Sequence, residues 1–80
     1  MSEVFDSVID ALLDIQEDEG VPKSVISKID ELLNLLESDE DEQIIINKVL
    51  FELDELGNNS NIPQHIRTQL FHVVSMLEAI

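Results

Sequence analysis

The sequence predicts an all-α protein, an antiparallel four-helix bundle built from two helical hairpins. Three observations lead there. Apolar residues recur at three-four spacing along four stretches, and none shows the strict alternation of a strand. Turn-forming residues cluster in "EDEG" and "GNNSN". A 41-residue shift brings Val21-Pro22 onto Ile62-Pro63, with apolar positions coinciding on either side.

In the first stretch, Val4, Phe5, Val8, Ile9, Leu12 and Ile15 share one face, with Asp6, Asp10 and Asp14 opposite. This predicts a helix over residues 3–17, with Ser2 as its cap. "EDEG" ends it. Pro22 then opens a second helix, where its missing N–H loses no helical bond. Val25, Ile29, Leu32, Leu33 and Leu36 carry that helix to residue 37. In "SDEDEQ", Ser38 or Asp39 is the expected cap of a third helix, with acids in the first turn where the helix dipole favours them. That helix runs to Leu56, and Gly57 is expected in the left-handed conformation just beyond its end. Pro63 opens a fourth, reaching nearly to Ile80.

The 41-residue shift also pairs Val8 with Val49, Leu12 with Leu53, Ile15 with Leu56, Val25 with Ile66, Ile29 with Leu70 and Leu36 with Leu77. Each half is thus a helix, a loop and a proline-initiated helix: one domain, 1–80, with hairpins 3–37 and 40–79. A single hairpin cannot bury its apolar stripe, so two must pack together.

Composition narrows the functional classes. The apolar fraction, 44%, suffices for a core, and the formal charge is −14. Four basic residues are too few to neutralise a phosphate backbone or hold an anionic membrane, so neither nucleic acid nor membrane is an expected partner. A basic protein or a divalent cation is the natural complement. Cysteine is absent, which removes disulfides and thiolate metal sites. The acidic, interrupted N-terminus is unlike a secretory signal, and no apolar run approaches the ~20 residues of a membrane span. A cytoplasmic location is expected.

The two halves differ in a way that bears on function. Glu3, Asp10 and Asp30 correspond to Ile44, Phe51 and Phe71, all three directed away from the main apolar stripes. Charge follows the same division. Residues 1–42 hold 14 acids against two lysines, net −12, whereas residues 43–80 hold four acids against Lys48 and Arg67, net −2. Either helices 3 and 4 present wider faces to the core, or Ile44, Phe51 and Phe71 form a surface for a partner or for self-association. Asp6, Asp10 and Asp14, like charges at i, i+4, form either a solvated face or a docking strip for basic side chains.

The C-terminal segment "NIPQHIRTQLFHVVSMLEAI", with Asn61, Ile62, Pro63, His65, Arg67 and Thr68, resembles a small archaeal group, uncharacterised protein family nought-one-four-seven. "VPKSV" at 21–25 and the spacing between the two segments are similar as well. The family pattern has Asp-Pro ahead of Asn-Ile-Pro, where this chain has Asn59-Ser60. The resemblance implies a short, helical, bundle-forming archaeal protein. It implies no reaction, no cofactor and no catalytic residue.

Other chemistries have little to stand on. His65 and His72, seven residues apart, are about 10.5 Å apart along a helix and cannot share one ion. Both read as surface or loop-anchoring residues, and Arg67 as a structural donor to the "GNNSN" carbonyls. "DEDE" is not a calcium loop, because Ile44 and Leu50 stand where the motif needs glycine and glutamate. An enzymatic alternative uses Glu37, Glu40, Glu52 and Glu55 as Glu-x-x-Glu pairs holding Mg²⁺ for nucleotide pyrophosphate hydrolysis. The reading that best fits the residues is a non-catalytic, acidic interaction or scaffold module without a cofactor. Its partner would be a basic protein or another copy of itself. Salt adaptation is another source of such acidity, but ten isoleucines and the confinement of the acids to one half argue against it.

Overall fold

The computed structural model describes residues 3–59 and 61–80, and of Glu3 the backbone alone. After a 3-10 turn at Glu3–Phe5 come four helices: α1 (Asp6–Gln16), α2 (Lys23–Leu36), α3 (Glu42–Gly57) and α4 (Gln64–Glu78). No strand occurs among the described residues. The Ser2 cap expected for the first helix lies outside them.

The helices pack in a ring, α1 against α2 and α4, and α3 against α2 and α4. Loops of five or six residues join consecutive helices, as in antiparallel bundles. The radius of gyration is 11.7 Å, close to the ~11.6 Å expected of a compact domain this size.

Side chains at three-four spacing fill the centre. Val8, Leu12 and Ile15 of α1 meet Val25, Ile29, Leu32 and Leu36 of α2. Ile45, Ile46, Val49, Leu53 and Leu56 of α3 meet Ile66, Leu70, Val73 and Leu77 of α4. Phe5 seals one end, while Val21 and Ile62, each just before a loop proline, join the same core. Every buried residue described is apolar, so no polar residue is packed in the core.

Three details of the helix ends depart from expectation. The third helix starts at Glu42, two residues late, and its cap position is Asp41, whose side chain makes no capping bond. Neither Ser38 nor Asp39 caps it. The Ser38 hydroxyl instead donates back to the Leu35 carbonyl, 2.8 Å away, and accepts from the Glu40 N–H at 3.5 Å, within the loop before α3. Gly57 is not left-handed but forms the last turn of α3, with Asn58 following in right-handed conformation. Its lack of a side chain lets the Phe71 ring lie close: a Cβ there would sit 3.2 Å from Phe71 Cε1. Pro22 and Pro63 stand immediately before their helices in extended conformation, and their carbonyls accept from Ile26 and Arg67 N–H groups.

Candidate interaction surface

Ile44 and Phe51 occupy the back of α3. Taking the buried residues of α3 as the inward direction, ideal helical geometry sets both at about 190° from it. The wall of the bundle leaves Phe51 64% and Ile44 45% exposed. They are seven residues apart, two turns, and so lie along one line on the outer surface, with Asn47, Lys48, Asp54 and Glu55 on its flanks. Phe71 belongs to a different place. It is 51% exposed, and its ring covers Gly57 at the C-terminal end of α3. About 9 Å of rise and ~120° of rotation separate the Gly57 surface from Phe51. The structure therefore brings Ile44 and Phe51 together on one face and sets Phe71 in the seam between α3 and α4.

The acidic half has its own geometry. Asp6, Asp10 and Asp14 are all exposed on one face of α1. Asp10 and Asp30, the acids that correspond to Phe51 and Phe71, are exposed too, and Asp30 accepts from Gln16 Nε2 at 2.7 Å. Gln16 also donates to the Ile26 carbonyl, tying the end of α1 to α2. Sequence reasoning overlooked Leu13, which is 42% exposed on α1. It follows the core residue Leu12 directly, and only its angular offset of ~100° marks it as outward.

Two of the polar residues singled out from the sequence, Arg67 and His65, hold loops. Arg67 Nη2 donates to the Asn59 carbonyl at 3.0 Å, as expected, and fastens the α3–α4 loop to α4. His65 Nε2 lies 3.3 Å from the Asp18 carboxylate. Asp18 also accepts from the Gly20 N–H at 2.8 Å, so one carboxylate joins the α1–α2 loop to the start of α4. The Gly20 N–H first, and His65 second, hold the Asp18 carboxyl below its ordinary value. Gly20 admits no side chain comfortably, because a Cβ would stand 3.2 Å from Asp18 and 3.3 Å from His65. His72 is exposed.

Of the four glutamates of the enzymatic alternative, three have separate roles. Glu37 ends α2. Glu40 is paired with Lys48 at 3.0 Å. Glu52 is paired with Lys28, whose ammonium is held above its ordinary value mainly by the hydrogen bond to that carboxylate. Among the described residues no group of three or more His, Asp or Glu side chains is placed to hold a metal ion. A cavity of about 440 Å³ opens beside the α2–α3 loop, with Phe5, Leu36 and Ile45 at its base and Glu37, Asp39, Glu40 and Glu42 around it. Among the described residues no helix is long and apolar enough to cross a membrane.

A small bundle of four helices with apolar residues on its outer wall can now be set beside known proteins. Residues 1–80 match the family described as "Uncharacterised protein family (UPF0147)". The chain belongs to UPF0147. A UPF0147 protein of Methanothermobacter thermautotrophicus is 36% identical over 80 residues, spanning 99% of this chain and 78% of that one. One from Thermoplasma volcanium is 35% identical over 78 residues, with 96% and 88% covered. The crystal structure of a UPF0147 protein from Thermoplasma acidophilum superimposes with a TM-score of 0.89 at 34% identity, covering 95% of this chain and 91% of that one. The resemblance of the C-terminal segment is thereby borne out, and the helical fold is that of a solved UPF0147 protein. The family's description assigns no activity.

Proposed function

We propose that this UPF0147 protein is a non-catalytic interaction module of the archaeal cytoplasm. It would meet a protein partner through the outer wall of α3, with Phe71 at the α3–α4 seam as an adjoining contact. The observation that carries the reading is the 64% exposure of Phe51, with Ile44 two turns away on the same line. Large apolar side chains left in water at this spacing give up burial free energy of about 1.5–3 kcal/mol each that a partner can recover. Asp6, Asp10 and Asp14 would act at longer range, drawing in a basic partner and setting its orientation.

The near-duplication of the hairpins belongs to the same reading. Equated positions such as Val8 and Val49, Leu12 and Leu53, or Ile29 and Leu70 are alike buried, which supports a common ancestor for the two halves. The outward positions diverged, charge remaining at Asp10 and Asp30 where Phe51 and Phe71 stand in the other copy. The magnesium alternative draws no support from the geometry, since Lys48 and Lys28 occupy two of its four carboxylates.

The test is affinity capture from archaeal lysate with the wild type and Phe51→Asp in parallel, followed by binding of the captured protein to both in purified form. The expected result is a basic partner whose affinity falls at least about tenfold with Phe51→Asp and weakens as salt is added. A partner bound equally by both forms would contradict the assignment of the surface.

A further inference from the structure

We infer that the back of α3 is a self-complementary docking face for a second copy of this chain, packed antiparallel across a two-fold axis at Phe51. The inference rests on the interaction reading above and names the occupant of that face.

Three observations converge on it. The first is symmetry. An isologous contact needs one patch complementary to itself, and the residues flanking Phe51 have that property. With the axis at Phe51, Lys48 lies three residues to one side and Glu55 four to the other, about 4.5 and 6 Å along the helix from the axis. Their angular offsets from the outward line, about 50° and 30°, have the same sign. The two-fold that sets two antiparallel helices face to face inverts height and keeps lateral displacement, so Lys48 of each copy faces Glu55 of the other on the same flank. Asn47 meets Asp54 of the second copy by the same operation. Phe51 stacks on its own equivalent, and Ile44 approaches the end of the second copy's α3.

The second observation is the charge distribution. Residues 1–42 carry net −12, and residues 43–80, which hold nearly all of α3, net −2. For a second copy, the α3 face is where two chains of −14 approach with least repulsion. The third is availability. Lys48 is half-exposed, and its ion pair with Glu40 in the loop before α3 is itself on the surface. Exchanging one exposed carboxylate for another costs little.

A single helix pair is a small interface, so the dimer is a weak one. Sedimentation equilibrium from about 10 µM to 1 mM covers the range where such contacts form. The expected result is a mass rising towards two chains, and rising further with added salt as the long-range repulsion is screened. Phe51→Asp weakens association at least about tenfold, with its helical circular dichroism unchanged. Lys48→Glu and Glu55→Lys each create like-charge contacts across the axis, whereas an equimolar mixture of the two variants restores both pairs. That mixture associates more tightly than either variant alone. A single-chain mass throughout, or a mixture no tighter than its components, overturns the inference. A monomer that still binds a foreign protein through Phe51 removes the second copy and leaves the interaction reading standing. A dimer through Phe51 with no foreign partner retains the second copy and removes recruitment.

Discussion

Gly57 and Phe71 show how one missing methyl shapes this surface. A Cβ at position 57 would crowd the Phe71 ring, but that ring is half-exposed and can swing outward. Gly57→Ala should therefore gain most of the helix propensity of alanine, up to about 1 kcal/mol, and raise the melting temperature by a few degrees. Thermal unfolding measures it, and a lower melting temperature would mean that the ring is fixed. Asp18 supports a prediction in pH. Its folded pKa is depressed by the Gly20 N–H and by His65, so its contribution to stability is complete above the unfolded value near 3.8. That contribution is lost as pH falls through the lower folded value. Asp18→Asn should flatten the loss of stability below pH 3.8, followed by urea unfolding across a pH series; an unchanged acid limb would contradict the linkage. The outward direction of Ile44 and Phe51 was legible from angles alone. The Asp18–His65 clasp was not, because its partners are 47 residues apart and neither lies on an apolar stripe.

Among the elements, the apolar faces were legible and the ends were not. Periodicity reports which side of a helix is buried, so Leu12, Ile29, Leu53 and Leu70 are where the pattern puts them. Ends depend on where one hydroxyl or carbonyl finds a partner. Ser38 could serve either neighbouring helix by its residue type; its hydroxyl donates to the Leu35 carbonyl, and α3 starts at Glu42. A glycine after an apolar run fits a left-handed cap and a close approach equally well, and at Gly57 the close approach won. The α3–α4 loop offers a test at this scale. Arg67→Ala removes a charge-assisted bond to the Asn59 carbonyl along with part-buried packing, so a loss of about 1–2 kcal/mol is expected by urea unfolding. No change would mean that the loop holds without it. At the α2–α3 contact, Lys28 has a raised pKa, so its contribution is complete below 10.5 and lost as pH rises through the folded value.

The whole molecule sets an apolar interior inside a surface of two unlike halves. An apolar interior holds the bundle, and Leu12→Ala, which empties a fully buried site, should cost about 2–5 kcal/mol. The surface is divided between an acidic half and a nearly neutral one that bears Ile44, Phe51 and Phe71. The central claim is that these exposed apolar side chains are contact surface, and NMR of the isotopically labelled chain tests it residue by residue. As protein concentration or a captured partner is increased, the shifts are predicted to centre on Ile44, Phe51 and their neighbours on α3, and to vanish in Phe51→Asp. Shifts confined to the Asp6–Asp10–Asp14 face, or none on α3 under either titration, would contradict it.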